Sequence, residues 1–115
     1  MKNFKNTLLQ ISHNAMGTGD EALGLQLMTN YLRLINEETE MPRFIAFYNS
    51  GVKLICKDSP VIEVTKAIEK KGVKLIVCKT CLQHFNLTDK IEVGVVGTMM
   101  DIVELQKMAD KVITL

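Results

Sequence analysis

The chain carries almost no net charge, few aromatic side chains, two prolines and no long apolar run. A formal net charge of +1 gives no bulk electrostatic attraction for polyanions. Lysines do not cluster with interleaved aromatics, so no nucleic acid partner is expected. No apolar stretch approaches the ~20 residues that a membrane-spanning helix needs, so no membrane association is expected. The opening Met1-Lys2-Asn3-Phe4-Lys5-Asn6 leads into a short mixed segment unlike a secretory signal. Internal repeats, linkers and low-complexity tracts are also missing, and 115 residues suit one domain spanning 1–115 with one core. Three cysteines, an odd count, argue for reduced thiols in a cytoplasm over a disulfide framework.

Against these absences stands an apolar share of 47%, which suits buried strands and an oligomer with apolar surface to cover. Thr7–Ser12 reads as a first strand. Met16–Asp20 turns the chain into a helix over about Asp20–Glu38, where Leu23, Leu27, Met28, Tyr31, Leu32, Leu34 and Ile35 follow helical spacing. Phe44–Tyr48 is nearly all apolar and reads as a strand buried on both faces. Asn49-Ser50-Gly51 is a turn, and Val52–Cys56 is either an edge strand or a loop with a short helical turn. Asp58-Ser59-Pro60 opens a helix with Pro60 in its first turn, and Gly72 stops it. Val73–Val77 reads as a buried strand and Leu82–Phe85 as part of a short helix. Val93–Val96 is a fourth strand, Met99–Ala109 a helix and Lys111–Leu115 a final strand.

Strands alternating with helices predict right-handed crossovers and an α/β fold. It should have three layers, with a mainly parallel sheet of about five strands between helices. In any strand order the strand-to-helix loops open on one sheet edge, where such folds place their sites. That edge gathers Gly17–Asp20, Asn49–Gly51, Cys78–Cys81 and Gly97–Met99.

The sharpest motif is Cys78-Lys79-Thr80-Cys81, placed where Val73–Val77 ends. A thiol at this junction sits at a helix N-terminus, where unpaired N–H groups and the helix dipole favour the nucleophilic thiolate. Lys79 adds positive charge. The spacing puts both sulfurs on one side of a first helical turn, and His84 falls within reach of Cys81. Cys78 is the candidate reactive thiolate and Cys81 its partner or resolving thiol; the plain alternative is two half-buried cysteines without chemistry.

Three chemistries compete for this pair. A dithiol oxidoreductase uses CxxC before a helix, but here the motif follows the third strand. Neither Pro42 nor Pro60 precedes a late strand facing it. A structural zinc site would need a fourth ligand beyond Cys78, Cys81 and His84, from Cys56 or His13, and no second CxxC exists; no metal is expected. Persulfide transfer needs one exposed thiolate and no cofactor.

Gly17-Thr18-Gly19-Asp20-Glu21-Ala22 formally matches a dinucleotide-binding turn. Asp20 and Glu21, however, put negative charge where a pyrophosphate would lie. Thr18 and Glu21 have capping-box spacing, and no acidic residue follows the second strand. Gly17 and Gly19 read instead as a tight turn near the thiol loop. His13 and Cys56 read as a loop histidine and a buried thiol.

Taken together, Asn49–Leu54, Gly72-Val73 leading to Cys78-x-x-Cys81-Leu82, Val93-Gly94, Met99 and Ile102 resemble the DsrE-like sulfur-relay family. The likeness covers nearly the whole chain. With Gly17-x-Gly19-Asp20-Glu21-x-Leu23-Gly24 it is nearest to the C-terminal domain of YedF-type sulfurtransferase-like proteins, associated with selenium metabolism. The resemblance implies a parallel α/β sheet, a cytoplasmic homotrimer or trimer-based hexamer, and a reactive cysteine at Cys78. It also implies a persulfide passed between donor and acceptor proteins. Gly17, Gly19, Asn49, Ser50, Gly51 and Lys79 would then wall or support the site. The alternatives are a non-catalytic oligomeric binding or regulatory module of the same fold and a CxxC redox protein.

Overall fold

The computed structural model describes residues 2–115. The chain runs β1 (Thr7–Ile11), α1 (Glu21–Glu37), β2 (Phe44–Phe47), a 3-10 helix (Asn49–Ile55), α2 (Ile62–Lys70), β3 (Lys74–Cys78), α3 (Lys79–His84), β4 (Val95–Gly97), α4 (Met99–Met108) and β5 (Lys111–Thr114). The five strands form one sheet in the order β4-β3-β2-β1-β5, and every pairing is parallel. From β1 the chain steps outward three times to β4, then returns across the sheet to β5. Right-handed crossovers therefore place α1 and α2 on one face and α4 on the other.

The burial of each strand follows from its place in this order. β1 and β2 are buried at every position, because both have neighbours on each side and helices above and below. The edge strands β4 and β5 expose most of theirs. The core is largely aliphatic: Leu8, Leu9, Ile11 and Ile45 pack with Met28 and Leu32 of α1, Ile68 of α2 and Ile102 of α4. Gln10 is a buried polar exception in the apolar β1. Its side-chain oxygen accepts from Gln106 Nε2 of α4 at 2.6 Å, and its amide donates to Thr114 Oγ1 of β5 at 2.9 Å. Gln10 thus marks the face on which α4 lies, and it is satisfied there by both partners.

Several local expectations are corrected. Helix α1 is capped by Asp20, whose carboxylate accepts from Leu23 N at 2.8 Å, and not by the Thr18/Glu21 capping box. The turn before it bends through Gly17 (φ 76°) and Gly19 (φ 127°), which leaves Asp20 next to the helix. Pro60 precedes α2 instead of lying in its first turn, because Asp58 adopts φ 72° and the chain makes a further turn before Ile62. Val52–Ile55 takes the helical alternative, inside the 3-10 helix, and Cys56 after it makes only an isolated antiparallel bridge with Ile91 and not an edge strand. The fourth strand is shorter and later than Val93–Val96, since Gly94 at φ 88° interrupts the extended run.

Candidate functional site

Parallel pairing carries β1, β2, β3 and β4 to the same edge of the sheet. There Cys78 is the last residue of β3, in register with Gly97 of β4, and also the residue that begins α3. Such a position is closed in: Cys78 is 2% exposed. Its side chain does not cap α3, and Cys81 follows one turn on in the same helix. Gly97 is a close-packed neighbour, because a Cβ there would stand 2.8 Å from Ile76 Cγ2.

Cys81, one turn on, is half-buried and opens to solvent. It lines a cleft of about 300 Å³ with Asn49, Thr80, His84 and Phe85. The backbone N–H of Asn49 donates to Cys81 Sγ at 3.0 Å. Burial, the Cys78 hydrogen bond and the Cys78 charge push the Cys81 thiol up, while the Asn49 N–H pulls it down without cancelling them. Cys81 is thus held mainly as a thiol at neutral pH.

Asn49 holds its position through an unusual backbone. Its φ is 51°, the left-handed region that asparagine tolerates better than most residues. Two residues on, Gly51 seats the 3-10 helix directly on the end of β1, where a Cβ would strike the Ile11 carbonyl oxygen. Ser50 is held from the other side: its Oγ accepts from Asn14 N at 3.2 Å and meets His13 Nδ1 at 3.3 Å. The loop after β1 and the loop after β2 are thereby tied together, and His13 is engaged with Ser50.

The residues singled out in the sequence therefore separate into two groups. Cys78, Cys81 and Asn49 converge, with Ser50 and Gly51 supporting Asn49. Lys79 is exposed at the start of α3, and Gly17 and Gly19 are exposed and do not line the Cys81 cleft. His84 does line it, but its ring packs edge-on against Phe85, with centroids 5.0 Å apart. Phe85 was not singled out; it walls the cleft and carries Lys53 Nζ 4.5 Å above its ring. Only the apolar position at the end of a short helix hinted at it.

Cys56 lies buried, donates to Val52 O at 3.2 Å, and has its thiol pushed up by burial. Among the described residues no group of three or more His, Cys, Asp or Glu side chains is placed to hold a metal ion. A wider surface depression, about 660 Å³, lies elsewhere, between the end of α1 and the turn after α2, and is lined by no cysteine or histidine. The smaller cleft is the one that Cys81 lines.

The sequence profile of the DsrE/DsrF-like family matches residues 5–115. The chain belongs to this family. DsrE-like proteins are associated with sulfur relay and work there with partner proteins. Solved structures share the fold at low identity. A protein of unknown function from Methanobacterium thermoautotrophicum, MTH1491, is 20% identical with a TM-score of 0.68, over 95% of this chain and 97% of its own. YchN from E. coli is 16% identical with a TM-score of 0.63, over 95% and 98%. BT1422 from Bacteroides thetaiotaomicron, also of unknown function, is 17% identical with a TM-score of 0.69, over 96% and 95%. Curated proteins give no significant match. Within the DsrE-like fold, the five-stranded parallel sheet flanked by helices is as the sequence led us to expect. No helix among the described residues is long and apolar enough to cross a membrane.

Proposed function

We propose that this protein is an intracellular sulfur carrier that holds sulfane sulfur as a persulfide on Cys78, with Cys81 as its partner thiol. The observation that carries this reading is the pairing of two free thiols one helical turn apart, one buried and one opening to a cleft, at the loop edge of a parallel sheet. Thiolate attack on a persulfide needs two sulfurs that can approach each other and a path to the donor, and both are supplied here by side chains and one backbone N–H. No cofactor enters the step.

The finer parts of the reading rest on resemblance and on surface chemistry. A YedF-type likeness would allow selenium to travel in place of sulfur, since the same nucleophile serves both. A homotrimer or trimer-based hexamer fits the apolar side chains left open on β4 and α4. Val95, Val96, Met99, Met100 and Val103 are between 42% and 76% exposed, and exposed apolar side chains gathered in this way suit an interaction surface. Reduced thiols fit a cytoplasmic setting. Donor and acceptor are other proteins.

The test is mass spectrometry of the intact protein and its peptides after exposure to a persulfide donor and alkylation without reductant. The expected product gains one sulfur on the Cys78 peptide, removable by reductant and absent from Cys78→Ser. If neither thiol gains sulfur while Cys81 still alkylates, the protein is not a carrier. A Cys78–Cys81 disulfide as the only product would make it a redox protein, and neither product would leave a binding or regulatory module.

A further inference from the structure

Cys78 and Cys81 differ in who can reach them. Displacement at sulfur runs in line, so an incoming donor must bring its outer sulfur up to the attacking thiolate with its own leaving group pointing away. At Cys78 there is no room for that approach: the residue is 2% exposed and closed in by β4 through its register with Gly97. At Cys81 there is, because the sulfur faces the cleft between Asn49, His84 and Phe85. The two residues are nevertheless neighbours across the first turn of α3, Cys78 at its N-cap and Cys81 three residues on.

Building on the carrier reading, we propose a division of labour in which Cys81 is the loading thiol and Cys78 the storage thiol. The donor is a thiol persulfide, R–S–SH. Cys81 loses its proton to water at the cleft mouth and its thiolate attacks the outer sulfur of the donor. The donor S–S bond breaks, R–S⁻ leaves and takes up a proton, and Cys81–S–SH remains. The Cys78 thiolate then attacks the outer sulfur of that persulfide. The new S–S bond forms on Cys78, and Cys81 departs as a thiolate that regains the proton given up by Cys78. Neither step changes the total oxidation state, so no external oxidant or reductant is needed. The Asn49 N–H, 3.0 Å from Cys81 Sγ, stabilises the anion that forms on that sulfur in each step. Storage at Cys78 shields the persulfide from solvent thiols, and unloading follows the same path outward.

Lys79 makes the proposal directly readable, because trypsin cleaves between the two cysteines and leaves Cys78 and Cys81 on separate peptides. The full-length chain is mixed with glutathione persulfide, quenched by alkylation at short intervals, digested and mapped. The expected time course shows sulfur on the Cys81 peptide first and on the Cys78 peptide later. Cys78→Ser should still load Cys81, at least as fast as the wild type because a group that pushes the Cys81 thiol up is gone, and should retain the sulfur there. Cys81→Ser and Cys81→Ala should load Cys78 more slowly by roughly tenfold or more, because access controls exchange. Native alkylation of unloaded protein by a bulky maleimide should label Cys81 before Cys78, a readout that needs no variant. Wild-type loading of Cys78 in both Cys81 variants, or Cys78 alkylating first, would overturn the division of labour while leaving the carrier intact. Sulfur on neither peptide of the wild-type protein would overturn the carrier reading itself.

Discussion

Replacing Gly51 by alanine tests how the cleft is built. Gly51 sits in the 3-10 helix that follows β2, and its missing Cβ makes room for the end of β1. An added methyl would collide with the Ile11 carbonyl oxygen and lie 3.0 Å from Ile11 C and 3.3 Å from His13 N. All three are backbone atoms, so no rotamer change relieves the clash. The same Ile11 oxygen accepts from Tyr48 N at 3.1 Å, which pins β2 to β1 at this point. The 3-10 helix must therefore lift away as a body, at the overpacking cost of about 2–3 kcal/mol. With an unfolding entropy of ~2.1 cal/mol/K per residue, Tm should fall by about 8–12 °C. Lifting the helix also withdraws Asn49 N–H from Cys81, so the folded variant should alkylate at Cys81 with a changed rate. Thermal unfolding by circular dichroism and timed alkylation read the two effects. A Gly51→Ala protein melting within about 2 °C of wild type would refute the claim that the helix is seated by direct backbone contact.

Three further outcomes follow from individual contacts. Alkylation of Cys81 should climb only at pH above the free-thiol value of ~8.5, and Cys78→Ala should bring that rise to lower pH by removing a hydrogen bond and a charge that both push Cys81 up. Asn49→Ala should cost about 1–2 kcal/mol through its left-handed backbone while Asn49→Gly costs less, as urea midpoints would show; equal losses would place the cost in the side chain. In the capping box of α4, Thr98 Oγ1 accepts from Asp101 N and the Asp101 carboxylate accepts from Thr98 N at 2.8 Å. Thr98→Ala should lower stability by about 1 kcal/mol. The Thr98 backbone N–H, then its hydroxyl, holds the Asp101 carboxyl below its usual value. That stabilisation is present above the unfolded value of ~3.9 and lost as pH falls through the lower folded one. Asp101→Asn should flatten this acid limb in urea titrations run below the unfolded value of ~3.9.

The strand and helix succession was readable because each element follows one period. Residues 44–47 are uninterruptedly apolar, and α1 repeats apolar residues at helical spacing over 17 residues. The sequence misled where the deciding contact was remote or where a backbone angle decided. Val52-Lys53-Leu54-Ile55 looks half like an edge strand, yet Gly51 docks on Ile11 and coils it into a 3-10 helix. Thr18 and Glu21 have capping-box spacing, but the positive φ of Gly17 and Gly19 hands the cap to Asp20. At the site, spacing alone paired Cys78 with Cys81. Which of them faces solvent depends on the register of β3 with β4, over a connection that local pattern does not encode. The part played by Asn49 was hidden for a similar reason: it acts through a backbone N–H aimed by φ, not through its amide.

The Gln10 bridge has a consequence for how the chain is made. β1 and β5 lie side by side, with Gln10 opposite Thr114, though 104 residues separate the two side chains. Strands β1 to β4 can join one after another as they are synthesised, each closing a modest loop. The outer edge of β1 has no neighbour until Lys111–Thr114 leaves the ribosome, and loop closure over that span is slow. For most of translation the apolar segment Thr7–Ile11 therefore presents an open hydrogen-bonding edge, the hazard that invites mispairing between nascent chains. Fusing a copy of β5 ahead of β1 would shorten that interval and should raise the yield of folded protein.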